Sequence, residues 1–321
     1  MKNYIAGIIL AYSAIAVAQD KPTARIEFEA PGAYPEGIAY DKASNVFYVS
    51  SARLGTIGKV DRSGKYTALY TDAALKSTYG LKVHPDGKRL FACVGDANYS
   101  IYSTPDTKKK MARLISIDLK TGKKLADTDL SKLVPGEHFP NDLTFDDKGN
   151  AYITDSFAHA IYKVDASGKA SVFSKSDLFK TAGVGLNGIV WHPGGFLLAT
   201  GNGQGCLFKV DINNPGNVTK VKIDQFFPGA DGMLLNDANT LTLVQNGGVD
   251  KIFRIKSTDN WVTAKPAEAT LAGDRFKYPS TAAIAGNETW IMNANFSELG
   301  EGNNVPSKKF DIQMAVFRPV K

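Results

Sequence analysis

The sequence predicts an all-β protein, a six-bladed β-propeller that closes by pairing an N-terminal strand with the last blade. Three observations predict this fold: a segment that repeats with a period in the forties, a composition rich in turn formers, and a strand count that closes at the two ends of the chain. The repeated segment has a polar or small residue, then usually glycine, then an apolar strand. Its six copies are Glu36-Gly37-Ile38, Tyr79-Gly80-Leu81, Asn141-Asp142-Leu143, Asn187-Gly188-Ile189, Asp231-Gly232-Met233 and Ser280-Thr281-Ala282.

The spacing of these copies is that of propeller blades. Their first residues are separated by 43, 62, 46, 44 and 49 positions, and a period in the forties is typical of a blade of four antiparallel strands. The chain has 30 Gly and 14 Pro with many Asn and Asp residues, which suits a protein built of short strands and tight turns. Helical signals are scarce, and the best one covers only Lys175 to Ala182.

Individual repeats divide into four strands each. Repeat one reads GIAYD, NVFYVSS, TIGKVD and YTALYT, with turn signals between the pieces, and repeat three reads LTFD, AYITDS, IYKVD and ASVFS. These pieces are rich in β-branched and aromatic residues, and the Gly or Asn residues between them favour tight hairpins. Repeat two carries an insertion from about Asn98 to Met111, and repeats four and five follow the common pattern.

Repeat six is one strand short. It has TAAIA, TWIMNAN and, after a loop at 297 to 310, QMAVFRP, and the chain then ends at Lys321. The segment ARIEFE, Ala24 to Glu29, precedes repeat one and belongs to no other repeat. Pairing it beside QMAVFRP closes the ring and leaves no open sheet edge at the seam.

The first 18 residues have the pattern of a secretory signal peptide. Lys2 supplies a positive charge, Tyr4 to Val17 is apolar and too short to span a bilayer, and Ala16-Val17-Ala18 is a small-x-small cleavage site before Gln19. We therefore expect an exported protein, periplasmic or secreted, whose mature part (19–321) is a single propeller domain without a membrane span. We expect a monomer or a weak dimer.

The charge pattern argues against nucleic-acid binding, and the positions of the cysteines argue against a disulfide. The net charge is +6, and the dense basic run Lys108-Lys109-Lys110 falls in the insertion of repeat two. No aromatic or glycine motif interleaves with it, so a solvated loop is favoured over nucleic-acid binding. Cys93 and Cys206 fall in blades that should not touch, which favours two buried free thiols; a disulfide, or a metal or catalytic role, is the alternative.

The first residues of the repeats predict a cation site. The first strand of each blade lines the central channel of a propeller, so Glu36, Asn141, Asn187 and Asp231 should converge there. Carboxylate and amide oxygens without His or thiolate favour Ca²⁺ first and Mg²⁺ next, with Mn²⁺ and Zn²⁺ left open. Glu36, Asn187 and Asp231 are the predicted ligands of one divalent ion. Taken singly, each of these residues would be explained as a turn former at a strand start.

Further polar residues are candidates for the mouth of the channel. Asp155 and Asn202 are predicted to contact substrate or support the ligands, as are Tyr79 and His138, with a proton-shuttle role possible for His138. The alternatives are hairpin-turn chemistry for the first two and an ordinary loop position for His138. Asp155 and Asn202 belong to a set at the ends of the second strands that comprises Asp96, Asp155, Asn202, Asn246 and Asn293.

The motifs P-E-G-I (35–38), P-N-D (140–142), L-N-G-I (186–189) and A-D-G-M (230–233) resemble those of the senescence-marker-protein/gluconolactonase family of six-bladed propellers. The resemblance covers nearly all of the mature chain. It implies that Glu36, Asn187 and Asp231 bind one divalent cation, that Asn141 contacts the substrate or the water on the metal, and that Asp231 is also the general base. Members that hydrolyse sugar lactones often carry Arg where this chain has Phe139, so a less polar substrate is expected in contact with Phe139.

The sequence therefore predicts a divalent-cation-dependent hydrolase of the lactonase or esterase type that acts on a small molecule. The alternative is a propeller that binds a partner without catalysis and holds a structural ion in its channel. Other propeller chemistries, such as that of strictosidine-synthase-like condensation enzymes, remain open. G-x-S-x-G, H-E-x-x-H, P-loop and C-x-x-C motifs are absent from the sequence.

Overall fold

The computed structural model describes residues 24–299 and 306–320, and the predicted signal peptide (1–18) lies outside them. The described residues form six antiparallel sheets arranged as the blades of a propeller. The first strand of each blade packs against the first strands of both neighbouring blades. These six strands therefore surround a central channel, which confirms the predicted fold.

The strands follow one another in a regular order, with the first strand of every blade innermost. Blades one to three comprise β2 (Ile38–Asp41), β3 (Val46–Val49), β4 (Thr56–Asp61), β5 (Tyr66–Thr71); β6 (Ser77–Val83), β7 (Arg89–Gly95), β8 (Ala112–Asp118), β9 (Lys124–Asp129); and β10 (Pro140–Phe145), β11 (Ala151–Asp155), β12 (Ala160–Val164), β13 (Ala170–Lys175).

Blades four to six repeat this order, and β1 (Arg25–Glu29) supplies the outermost strand of blade six. Their other strands are β14 (Leu186–His192), β15 (Phe196–Gly201), β16 (Cys206–Asp211), β17 (Val218–Lys220); β18 (Ala230–Asp237), β19 (Thr240–Gln245), β20 (Lys251–Lys256), β21 (Lys265–Ala269); and β22 (Pro279–Ala285), β23 (Glu288–Asn293), β24 (Lys309–Met314). A short strand, β25 (Arg318–Pro319), follows.

The ring closes as the sequence predicts. β1 pairs with β24 in an antiparallel register that sets Arg25 opposite Gln313 and Glu29 opposite Lys309. Nη1 of Arg25 lies 3.2 Å from Oδ1 of Asp311 across this pair. The N-terminal strand thus covers an edge of blade six that would otherwise be open to pairing with another chain.

The prediction for the last strand of the chain is wrong in its position. The third strand of blade six is β24 and starts at Lys309, four residues before the predicted QMAVFRP, while β25 leaves blade six and pairs with β21 of blade five. The charged residue Asp311 makes this segment look like a loop in the sequence. In the structure its Oδ1 accepts hydrogen bonds from Arg25 and, at 2.7 Å, from Asn293 Nδ2. Pro319 lacks an N–H, which suits the outer edge of a sheet.

Helical structure among the described residues is limited to short 3₁₀ turns. The predicted helical segment 175–182 contains one of them, which begins after Ser176; the Oγ of this serine accepts a hydrogen bond from the N–H of Leu178. The four turns are Ala73–Leu75, Asp177–Phe179, Ala272–Asp274 and Phe296–Leu299.

The hydrophobic core lies between neighbouring blades. Tyr152 and Ile161 of blade three, for example, pack with Ile189, Leu197 and Phe208 of blade four. Each sheet therefore buries both faces except at its outer strand, and the blades are held in a fixed angular order around the channel.

The two cysteines are free, as favoured from the sequence. Cys93 lies in β7 and is buried, whereas Cys206 begins β16 and is half-buried rather than fully buried.

Candidate functional site

The repeated motif forms a β-bulge at the start of the first strand. In blades two to six the pairing of the first strand with the second shifts register across the motif, for example between Pro140 and Leu143 and between Ala230 and Met233. A bulge bends the strand and changes the direction of its side chains. The motif residues thereby leave the ordinary alternation of the sheet at the point nearest the axis.

The glycines of the motif allow successive first strands to approach closely. A Cβ on Gly37 would lie 2.1 Å from the carbonyl oxygen of Tyr79, and one on Gly188 would lie 2.5 Å from the carbonyl oxygen of Asp231. Each motif therefore packs directly on the motif of the next blade. The residues that precede these glycines are neighbours around the axis, although they are more than 40 positions apart in the chain.

Hydroxyl groups hold the predicted ligands between blades. The backbone carbonyl of Glu36 accepts a hydrogen bond from Ser280 Oγ at 2.5 Å. The carbonyls of Asn187 and Asp231 accept hydrogen bonds from Thr154 Oγ1 at 2.5 Å and Thr200 Oγ1 at 3.0 Å, respectively. Every donor belongs to the preceding blade of the ring. We call these three contacts the hydroxyl staples.

Six side-chain oxygens of the motifs are buried without a hydrogen-bond partner among the described residues. They come from blades one, three, four, five and six, and they are Glu36 Oε2, Asn141 Oδ1, Asp142 Oδ2, Asn187 Oδ1, Asp231 Oδ1 and Thr281 Oγ1. Leaving a buried polar atom unpaired costs about 1–3 kcal/mol. So many acceptors in one ring indicate a site built for a ligand that binds oxygen, and hard cations do so.

Burial and like charge act together on the acidic residues. Burial, followed by the charges of Asp231 and Asp142, raises the pKa of Glu36 well above its usual value. Burial also raises the pKa of Asp231 to about 8 and raises that of Asp142. With its pKa near 8, Asp231 is therefore largely protonated at neutral pH when no ion is bound, and a bound cation would displace that proton.

Lys82 offsets part of the acidic charge. Its Nζ lies 3.9 Å from Asp142 Oδ1, and its charge lowers the pKa of both Asp142 and Glu36. When all three carboxyls are ionised, as they would be around a bound cation, they and the ammonium of Lys82 leave two negative charges in the cluster. That balance matches one divalent ion.

The ligand set depends on amide oxygens as well as carboxylates. Within residues 24–299 and 306–320, no group of three or more His, Cys, Asp and Glu side chains is arranged to hold a metal ion. The candidate ligand set therefore combines the carboxylates of Glu36 and Asp231 with the buried amide oxygens of Asn187 and Asn141. This composition fits Ca²⁺ or Mg²⁺ and lacks the His and thiolate ligands that zinc sites use.

His138 and Asp155 form a buried pair beside the channel. Nδ1 of His138 lies 2.8 Å from Oδ2 of Asp155, which also accepts a hydrogen bond from Tyr162. Oδ1 of Asp155 accepts hydrogen bonds from three backbone N–H groups in the loops around it. Burial lowers the pKa of His138, but the hydrogen bond and charge of Asp155 outweigh it, so the pKa is raised.

The remaining residues of the second-strand set hold loops and blades together. Asn202 Nδ2 donates to the carbonyl of Ala230 at 3.2 Å, and Asn246 Nδ2 donates to Asp231 Oδ2 at 2.5 Å. Asp96 accepts hydrogen bonds from Thr107 and Ser103 within the insertion of blade two, and Asn293 donates to Asp311. Asn246 is therefore the member of this set that contacts a predicted ligand.

The aromatic candidates pack against each other. The rings of Tyr79 and Phe139 meet edge to face with centroids 4.7 Å apart, and Phe139 also contacts Phe157 at 5.4 Å. Both are buried, and the hydroxyl of Tyr79 accepts a hydrogen bond from the N–H of Ala97. Both residues belong to one hydrophobic core cluster.

Sequence reasoning missed Asp142, Thr281 and Lys82. Asp142 and Thr281 occupy the second position of the motif, where four of the six blades have glycine. Close packing favours glycine at this position in the other four blades. An Asp or Thr there is visible in the sequence and could have marked both residues as candidates for the site. Lys82, three residues after Tyr79 in β6, carries no comparable signal.

Comparison with known proteins establishes the fold. No family model and no curated protein matches this chain. The major allergen Mala s 1 of Malassezia sympodialis is 19% identical with a TM-score of 0.71, covering 91% of this chain and 96% of that chain. A putative gluconolactonase is 14% identical with a TM-score of 0.59, covering 94% and 95%.

A third similar structure, a catalytically inactive virginiamycin B lyase from Staphylococcus aureus with quinupristin, is 15% identical with a TM-score of 0.60, covering 91% and 100%. No helix in the described parts of the chain is long and apolar enough to cross a membrane. At these identities the likeness shows a shared fold. The resemblance predicted from the motifs is confirmed at the level of the fold, since the neighbours in fold include the putative gluconolactonase.

Proposed function

We propose that the protein is a divalent-cation-dependent ester hydrolase of the lactonase type, with Glu36, Asn187 and Asp231 as ligands of the ion. The observation that carries the proposal is the ring of six buried, unpaired oxygens around the axis. A divalent cation held there supplies Lewis acidity toward an ester carbonyl. Calcium is the first candidate because the ligand atoms are all oxygens.

The proposed general base and the substrate-orienting amide are each fixed by a neighbouring side chain. Asn246 Nδ2 donates to Oδ2 of Asp231 at 2.5 Å and fixes the carboxylate, while its Oδ1 remains unpaired and faces the candidate ion; the carboxylate as a whole is the proposed general base toward an attacking water. Ser156 Oγ accepts a hydrogen bond from Asn141 Nδ2 at 3.1 Å and fixes the amide. The unpaired Oδ1 of Asn141 is thereby oriented toward the ion or the substrate.

A panel of lactones and aryl esters, assayed before and after chelation, tests this proposal. We expect turnover that chelator abolishes and that added calcium restores. Asp231→Asn should lose turnover and cation binding while it keeps the circular dichroism spectrum of the folded protein. Turnover retained by metal-free protein would overturn the proposal.

The hydroxyl staples favour a second candidate, a propeller that binds a partner and uses its ion structurally. They tie the backbone of every predicted ligand to the preceding blade, so an ion there would cross-link the ring. Under this alternative the protein hydrolyses none of the lactones and esters in the panel, while calcium still raises its melting temperature. Turnover in the panel therefore separates the candidates, while the rise in melting temperature with calcium tests the ion that both of them require.

We also propose that the chain is exported. The positive charge of Lys2, the apolar run from Tyr4 to Val17 and the small residues before Gln19 support this. N-terminal sequencing of protein from the native host tests it, and we expect the mature chain to begin at Gln19. A mature chain that retains Met1 would contradict the proposal.

A further inference from the structure

Three aromatic residues meet on the face of the propeller where the candidate ligands lie. Tyr99 belongs to the segment between β7 and β8, Tyr278 directly precedes β22, and Phe296 opens the 3₁₀ turn after β23. In an antiparallel blade the first strand begins and the second strand ends on the same face. All three residues therefore lie on the face where the motif residues start their strands. We call them the aromatic wall.

The aromatic wall is held together by its own packing. The rings of Tyr278 and Phe296 stack with centroids 5.8 Å apart and an interplanar angle of 29°. Tyr99 contacts the same phenylalanine with centroids 5.5 Å apart. Phe296 is therefore the central ring, and it joins side chains from blade two and from the entry to blade six.

One amide links the aromatic wall to the candidate catalytic carboxylate. Asn246 Nδ2 donates to Asp231 Oδ2 at 2.5 Å and to the carbonyl of Pro279 at 3.0 Å, and Tyr278 is the residue before this proline. The charge of Asp231 also adds to the effect of burial that raises the pKa of Tyr278 to about 12 and the pKa of Tyr99. The aromatic wall thus lies within electrostatic reach of Asp231.

The aromatic wall has unused binding capacity. Its three side chains are half-buried, and neither tyrosine hydroxyl forms a hydrogen bond with another described residue. Beside Phe296, the side-chain oxygen of Asn295 is buried and has no partner among the described residues. Two hydroxyls and one amide oxygen are few polar groups for a polyhydroxylated ligand, while aromatic rings favour a flat or apolar one.

The backbone next to the aromatic wall is strained. Tyr278 and Asn295 have φ angles of +50° and +56°, the left-handed region that non-glycine residues seldom adopt. Backbone hydrogen bonds from Ala294 to Tyr278 and from Asn295 to Lys277 hold the two together. Strain of this kind is found where the position of a side chain matters for function.

We propose that the aromatic wall binds the apolar substituent, aryl or alkyl, of a lactone whose carbonyl lies at the unpaired oxygens of Glu36, Asn141, Asn187 and Asp231. This inference rests on the proposed function and adds the substrate class to it. It makes Phe296 and Tyr278 specificity residues rather than catalytic ones. A sugar lactone, whose ring carries hydroxyls in place of the apolar group, is the disfavoured substrate.

The test compares γ-phenyl-γ-butyrolactone with unsubstituted γ-butyrolactone in the calcium-loaded protein. We expect the wild type to favour the phenyl lactone in kcat/KM by about tenfold, which is what one well-packed ring contributes. Phe296→Ala should lower kcat/KM for the phenyl lactone about tenfold more than for the parent lactone. Phe296→Leu keeps a large apolar side chain, so it is expected to fold even if Phe296→Ala does not. It should lose part of the preference for the phenyl lactone. The matched control is Phe226→Ala, since Phe226 is 61% exposed in the segment between β17 and β18, and it should keep the preference.

Equal losses for both lactones in the Phe296 variants, or a wild-type preference for glucono-δ-lactone, would overturn the inference. A binding measurement separates its failure from that of the proposed function. If no lactone is turned over, the proposed hydrolysis is wrong, and calorimetric titration with γ-phenyl-γ-butyrolactone still tests the aromatic wall. Binding that Phe296→Ala weakens about tenfold supports a binding site at the aromatic wall, and absence of binding by the wild type refutes it.

Discussion

Lys82 and Asp142 set the charge of the channel cluster. The ammonium of Lys82 lies 3.9 Å from Oδ1 of Asp142, and both groups act electrostatically on Glu36. Neither residue is a predicted ligand, yet together with Glu36 and Asp231 they leave the net charge of −2 that suits a divalent ion. Interactions of this kind at short range inside a protein are worth a few kcal/mol.

The first prediction follows from that charge balance. Lys82→Met should tighten calcium binding about tenfold because the ammonium no longer opposes the ion, and Asp142→Asn should weaken it by a similar factor. Calorimetric titration against a competing chelator measures both. Lys132→Met is the matched control, because Lys132 has a side chain 89% exposed and should leave the affinity unchanged. Weaker binding by Lys82→Met would contradict this account of the cluster.

The second prediction concerns the pair formed by His138 and Asp155. Because the pKa of His138 is raised in the folded protein, its pairing stabilises the fold fully below the unfolded pKa of about 6.5 and is lost as the pH rises through the folded pKa. His138→Gln should therefore cost more stability at pH 5.5 than at pH 9. Urea unfolding at the two pH values measures the difference. An equal cost at both would show that the charge of His138 does not contribute.

At the scale of the single element, the bulged start of the first strand in blades two to six decides much of the geometry of the site. The motif glycines allow one first strand to touch the next, and the hydroxyl staples fix the carbonyls of the three predicted ligands. The geometry of the site is thus a property of contacts between blades as much as of the ligands themselves.

The third prediction tests close packing at the motif. Gly188→Ala places a Cβ 2.5 Å from the backbone carbonyl oxygen of Asp231, so the strands must move apart; we expect a loss of about 2–4 kcal/mol in the free energy of unfolding and weaker cation binding. Gly273→Ala is the control, since no atom lies within 4 Å of its added Cβ. Similar stability of the two variants would show that the first strands are not packed as described.

The fourth prediction concerns closure of the ring. Deletion of residues 24–29 removes β1 and exposes the edge of β24, so we expect lower stability and concentration-dependent aggregation. Light scattering and thermal unfolding measure the effect. Deletion of residues 19–23 alone is the control and should have little effect. A deletion of 24–29 that left a monomer of unchanged melting temperature would argue against closure by β1.

The sequence predicts the repeat and its closure because each depends on local patterns. The period of the motif, the strand pieces between turns and the surplus strand at Ala24 to Glu29 can all be read along the chain. The bulges, the hydroxyl staples and the place of Asp142 could not be predicted, since they depend on distances between blades. β24 was misplaced because its Asp311 resembles a loop residue until its partners Arg25 and Asn293 are known.

At the scale of the whole molecule, the ring brings together acids that repel one another when no ion is bound. Burial and mutual repulsion raise the pKa values of Glu36 and Asp231 in the folded protein. A carboxyl with a raised folded pKa stabilises the fold below its unfolded pKa, and that contribution is lost as the pH rises through the folded pKa. The metal-free protein should therefore lose stability between about pH 4 and pH 8.

The fifth prediction follows from that loss. In metal-free protein at pH 9, Asp231→Asn should raise the free energy of unfolding by about 1–3 kcal/mol, because it removes one buried charge. Saturating calcium should reverse the order and make the wild type the more stable protein. Unfolding curves at pH 5 and pH 9, with and without calcium, measure both effects. A wild type that is the more stable protein without metal at pH 9 would contradict the account.

The central claim is that side chains from separate blades share one divalent ion at the axis of the ring. The most direct test is a crystal structure of the protein grown with calcium, with the ion located by its anomalous scattering. We predict one site with oxygens of Glu36, Asn187 and Asp231 at about 2.3–2.6 Å. Crystals in calcium that show no ion at the axis, or an ion held by other residues, would contradict the claim.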